Sequence, residues 1–101
     1  MKNPIFIRGS LWTLQRTRRG LGKSKAYPKG CWGHCSRENK TITIRPSKDF
    51  PTVEQEVDTI IHECLHGLWW DLDEEAVRTA ATEIAAALRV SGLIPDKKDH
   101  Q

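Results

Sequence analysis

The apolar residues of this chain change their period about halfway along. In the first half they come in short clusters, Ile5-Phe6-Ile7 and then Leu11, Trp12 and Leu14, parted near Gly9-Ser10. Such clusters around a turn-forming pair predict one or two strands over residues 5–14. Residues 16–30 (RTRRGLGKSKAYPKG) are rich in glycine, lysine and arginine, contain Pro28, and predict a loop or ragged hairpin. Residues 30–36 (GCWGHCS) read as a turn. Residues 41–45 (TITIR) alternate and are β-branched, which makes them the clearest strand, and Pro46 ends it.

Beyond the linker at 47–51 the period becomes helical. Val57, Ile60, Ile61, Cys64 and Leu68 recur at three- and four-residue spacing. Thr52 and Gln55 have capping-box spacing, and Glu54 and Glu56 stand in the first turn, where the helix dipole favours acids. A helix over 52–70 follows. Asp71 or Asp73 caps a second helix over 73–91, with the stripe Val77, Ala80, Ala81, Ile84 and Leu88 and a stop at Ser91-Gly92. The charged segment 95–101 is expected to fray. Strands followed by helices predict an α+β fold. Two or three antiparallel strands, with a basic loop, come from residues 1–50 and pack against the two helices as a single domain.

The length agrees, since 101 residues make one domain. A chain of this size buries only about 60–68% of its unfolded surface, so the core is small and multidomain enzyme architectures are excluded. No apolar run reaches the roughly 18 residues of a membrane span, and Arg8 comes too early for a secretory signal. An odd count of three cysteines argues against a disulfide framework, and a reducing cytoplasm is the expected setting.

The net charge is +3, but residues 1–50 hold 12 of the 16 basic residues. Arg16, Arg18, Arg19, Lys23 and Lys25 read either as a weak nucleic-acid contact or as a solvated loop. Only Tyr27 interleaves with them, which favours the loop.

The segment that carries chemistry is His62-Glu63-Cys64-Leu65-His66. Four residues make about one helical turn, so both imidazoles project from one face and can share a metal ion. With Val57 at zero and about 100° per residue, the apolar stripe lies within about 60° of it. His62 then falls at about 140° and His66 at about 180°, toward a cleft. Glu63 stands beside them, where a carboxylate can take a proton from metal-bound water. A third ligand is needed, and the HExxHxxGxxH pattern fails because Trp69 and Leu72 occupy its last two defined positions. Asp71, Asp73, Glu74 and Glu75 are the candidates. On the second helix Glu74 borders the inward face while Glu75 points to water, so Glu74 is favoured and Glu75 comes second.

Cys31, His34 and Cys35 form a second group of ligand types. Their C-x₃-C spacing lacks a second pair, and a turn packed by Trp32 accounts for them as well as a structural zinc does. Cys64 lies on the core stripe as a small hydrophobe. Trp69, on the histidine side, is expected in the pocket wall together with His34.

The stretch HECLHGLWWDLDEEAVRTAATEIAAALRVSGL resembles the C-terminal part of short zincin-like proteins of phages and prophages. In these an HExxH helix is followed closely by a Glu-bearing helix with an [SD]-E-x-x-V start, here Asp73-Glu74-Glu75-Ala76-Val77. The likeness covers roughly residues 41–94, and the wider resemblance is to minimal gluzincins and SprT-like peptidase domains. It implies zinc held by His62, His66 and Glu74, with Glu63 as general base. The implied activity is zinc-dependent hydrolysis of a protein or peptide, with His34 or the metal stabilising the oxyanion, in the cytoplasm of a bacterial host. The other class that fits is a non-catalytic zinc-containing binding module contacting nucleic acid or a host protein.

Overall fold

Two consecutive residues of positive φ, Arg8 at 51° and Gly9 at 77°, turn the chain back on itself in a two-residue hairpin. They join β1 (Lys2–Ile7) to β2 (Ser10–Arg16), which pair antiparallel with Ile7 opposite Ser10. The computed structural model describes residues 2–22 and 30–95. Further along the chain come β3 (Gly33–Ser36) and β4 (Thr41–Ile44), also antiparallel. A short 3-10 turn (Ser47–Asp49) leads to α1 (Val53–Leu68), and α2 (Glu74–Val90) returns along it.

The α+β class is as expected, but the sheet has four strands in the order β1-β2-β4-β3, and β2 runs parallel to β4. The expectation of two or three antiparallel strands is corrected on both points. The additional strand is β3, where the glycines of GCWGHCS read as turn signals. Gly33 is there because of a close approach. A Cβ on it would stand 3.0 Å from Thr59 Cγ2 and 3.1 Å from Glu63 Cγ of α1. The parallel pairing is invisible locally, since a short alternating strand carries no mark of direction.

Register and alternation place Ile5, Ile7, Trp12, Leu14, Arg16, Gly33, Cys35, Ile42 and Ile44 on one face of the sheet. Ile7, Trp12, Ile42 and Ile44 are buried there, with Ile60, Cys64 and Leu68 of α1 packed against them. The opposite face carries Thr13, Thr41 and Thr43, with Phe6 and Leu11 exposed.

α1 is the hub, and its faces divide differently from the expected single stripe. Its most buried residues are Glu56, Glu63 and Gly67. On the scale that sets Val57 at zero they lie at about −100°, about −120° and about −80°, so the sheet side extends past one edge of the sequence stripe, from about −120° to about +20°. Gly67 permits this contact, because a Cβ there would meet Ile7 Cδ1 at 3.1 Å and the Trp12 ring at 3.3 Å. A second face meets α2, whose buried stripe is Val77, Ala81 and Ala85. Small residues let the helices approach. Asp58 accepts from Thr82 at 3.1 Å, and Glu54 pairs with Arg89. Ile84, expected in that stripe, is 45% exposed.

The helix ends follow the sequence closely. Thr52 caps α1 by accepting from Gln55 N–H at 3.1 Å, and Asp73 caps α2 by accepting from Ala76 N–H at 3.3 Å. α1 ends at Leu68, two residues short of the expected Trp70. The tail beyond Pro95 lies outside the described residues.

One charge pair closes the end of the core. Arg16 is on the inward face of β2, and its Nη1 donates to Glu56 Oε2 at 2.7 Å, while Ser47 Oγ donates to Glu56 Oε1 at 2.9 Å. Both side chains are largely buried, at 21% and 11% exposure, so removing one strands the other charge. Glu56→Ala should lower unfolding stability by about 3 kcal/mol, the lower end for breaking such a pair. The exposed control Glu83→Ala should stay within about 0.5 kcal/mol. Denaturant midpoints check this; equal midpoints would show that the pair does not anchor the helix.

Candidate metal centre

The third face of α1, at about 140° to about 200° on the same scale, lies between the sheet and α2 and is the least covered of the three. It carries Thr59, His62 and His66 beside a groove. The Thr52 cap and an unbroken helix to Leu68 keep the two histidines one turn apart. Their rings meet edge to face with centroids 4.8 Å apart, and their Nε2 atoms are 3.1 Å apart.

α2 supplies the third group. The chain leaves α1 at Trp69, turns with Leu72 N–H on Trp69 C=O at 3.0 Å, and re-enters a helix with Glu74 as its first residue. Glu74 Oε1 lies 3.1 Å from His62 Nε2, and its Oε2 lies 3.1 Å from His66 Nε2. The helical wheel explains the position. Relative to Val77, Ala81 lies at about 40°, Ala85 at about 80°, and Glu74 between them at about 60°. Glu74 therefore continues the buried stripe past the end of the core. Glu75 points away, is 77% exposed at its side chain, and lies 3.6 Å from Arg78.

These atoms suit one small cation. A tetrahedral ion with bonds of about 2.0–2.1 Å holds its ligands about 3.3 Å apart, close to the observed edges. Two imidazoles and one carboxylate are a donor set that zinc accepts while keeping a fourth position open. Among the described residues this is the one group of three potential ligands gathered closely enough for a single ion. Cys31, His34 and Cys35 are not gathered in that way.

The groove, of about 770 Å³, is walled by β3 and its flanks on one side and by α1 and Glu74 on the other. Glu63, at the border of the sheet face and the groove face, is buried beside Gly33. Burial, and then the Glu74 carboxylate, push its pKa up to about 7. Burial also lowers the His62 pKa, with Glu74 opposing that and His66 adding to it. Burial, then Glu63 and Cys64, push the Cys35 thiol up to about 11. The Cys31 and Cys64 thiols are raised by burial and then by Glu63. Cys64 packs on the core as the sequence stripe has it.

His34 borders the groove from the edge strand, but its register opposite Thr43 turns its side chain to the sheet face away from Cys35. Trp69 is 49% exposed and is not part of the groove wall. The helical angle that would place it there no longer applies where the helix ends. Trp70 and Trp32 are in the wall instead, with Asp58 and Arg37. Tryptophans are expected in core or cleft walls, and Asp58 stands four residues before His62, whereas nothing in the sequence points to Arg37. No protein-family model, curated protein or solved structure matches the chain.

Zinc affinity tests the trio. Glu74→Ala should weaken binding by about 100-fold or more, since even ligand-supporting groups are worth about 10–100-fold, while Glu75→Ala should leave it unchanged. His62→Ala and His66→Ala should each remove stoichiometric binding. Competition titration against a chromophoric chelator reads all four, and a larger loss in Glu75→Ala would refute the assignment.

Proposed function

We propose that this chain is a zinc-dependent peptide hydrolase. The observation that carries the reading is the closed triangle of His62, His66 and Glu74 beside a buried carboxylate, Glu63, in one groove. A zinc ion held by the trio would supply a Lewis acid and a water of lowered pKa. Glu63 is next to the ligands in sequence but is turned from them toward β3, so its carboxylate is left to accept a proton and return it to the leaving amine. The resemblance to zincin-like proteins supports the same roles.

Strand β3 supports a peptide as the substrate. Among the described residues it is an edge of the sheet, and it forms the groove's other wall. Trp32 C=O accepts from Arg45 N–H at 3.1 Å, so the alternation of an antiparallel ladder directs the backbone groups of Gly33 and Cys35 away from β4. An extended peptide can pair with such an edge.

The basic segment gives less support to a nucleic-acid binder. Arg16 is paired with Glu56, and Arg18 is bound to Asp49 through two hydrogen bonds. Lys23 and Lys25 lie outside the described residues, and Arg19 is exposed. No helix among the described residues is long and apolar enough to cross a membrane.

Glu63→Gln tests the role of the base. The amide is nearly isosteric, so fold and zinc content should persist. Hydrolysis of an unfolded protein such as a casein should fall by about 100-fold or more, the lower range for acid–base catalysis. Zinc-loaded wild-type protein that cleaves neither casein nor a broad peptide library would refute the hydrolase reading. An active, zinc-replete Glu63→Gln variant would refute Glu63 as the base.

A further inference from the structure

Among the described residues lining the groove, Arg37 is the one lysine or arginine, set against the carboxylates of Asp58, Glu63 and Glu74. It forms no ion pair with a described carboxylate. Its guanidinium carbon instead lies over the Trp70 ring, 5.1 Å from the centroid. The neighbouring arginines differ. Arg16 is held by Glu56, Arg18 by Asp49, and Arg45 by the carbonyls of Cys31 and Leu21. Arg37 is thus a cation held on an aromatic face with no anion among the described residues.

Its placement is built by two elements. Arg37 follows β3 directly, in a turn held by Lys40 N–H on Arg37 C=O at 3.3 Å and Asn39 N–H on Ser36 Oγ at 3.2 Å. Trp70 follows α1, four residues beyond the ligand His66. The pair therefore bridges the two walls of the groove at the end where β3 leaves the sheet. A guanidinium over an indole keeps its N–H edge free, and that edge matches the two oxygens of a carboxylate.

We propose that Arg37, held by Trp70, is the specificity-determining residue of the groove and takes a carboxylate of the bound peptide. The proposal rests on the peptide-hydrolase reading for its substrate class. The carboxylate belongs either to an acidic side chain or to the peptide's free C-terminus. Elsewhere in the groove the Asp58 carboxylate repels an anion, so a charge that disfavours acidic peptides at other positions directs the carboxylate to this one.

The test uses zinc-loaded wild-type protein and Arg37→Gln, with three sets of short peptides. The first set is blocked at both ends and centred on Glu, the second is the same with Gln, and the third is the Gln set with a free C-terminal carboxylate. Tryptophan emission reads binding, and mass spectrometry of the same samples reads cleavage. One of the two acidic sets should bind wild type about tenfold or more tightly than the neutral set, the range for a charge-assisted hydrogen bond. Which set does so identifies the source of the carboxylate. Arg37→Gln should bind all three alike, and Trp70→Leu should reduce the preference while keeping its sign. Equal binding of the three sets by wild type, including no binding, overturns the proposal, as does a preference that survives in Arg37→Gln. A preference that depends on Arg37, without cleavage of any set, upholds it and counts against the hydrolase reading alone.

Discussion

Everything in this fold depends on one helix having three neighbours. A helix of 16 residues presents its side chains around the full circle, and α1 uses all of it. One side lies on the sheet, one on α2, and the remainder faces the groove. Because the sheet and α2 meet α1 on two different sides, the open side is narrow. His62 and His66 hold that side, and Glu63 lies on its border. Any rotation of α1 that buried the histidines would expose Gly67 and lift the helix from Ile7 and Trp12, where there is no room for a Cβ. The phase of the helix is thus set by packing, and the candidate ligands take the angle left over.

Charge and capping reinforce that phase from the ends. The Thr52 cap fixes where α1 begins, and the Arg16–Glu56–Ser47 cluster ties its first turns to the end of β2. At the other end Arg8 Nη1, from the β1–β2 turn, is 3.5 Å from Leu68 C=O. Arg16 meets Glu56 across the two halves of the chain, while Arg18 and Arg45 face Asp49 within the first.

Both helices, their caps and the inward turn of Glu74 are legible in the sequence, because capping pairs and helical periodicity act over a few neighbours. The rest is not, and the reasons are physical. β3 contains the glycine that lets it approach α1, so the residue needed for the contact disguises the strand as a turn. The true sheet-facing side of α1 includes two glutamates and a glycine, which no hydrophobic stripe reveals. Glu56 is buried because Arg16, distant in sequence, meets it there. Glu63 is buried because Gly33 leaves it space. Trp69 stands outside the groove because the helical angle stops applying at the last helical residue. The groove residues Arg37 and Trp70 come from separate turns, and only the folded chain brings them together.

The three candidate ligands all belong to one helix–turn–helix, whereas the surroundings of Glu63 require β3 from the other half of the chain. Contacts between near neighbours close at small entropic cost, and those across the chain close late. The α1–α2 hairpin can therefore assemble its His62, His66 and Glu74 cluster before the sheet is complete. The dry wall around Glu63 forms only when β3 docks. On the hydrolase reading, capture of an ion and the setting of its chemical surroundings would then be separate events along the folding path, with the surroundings completed last.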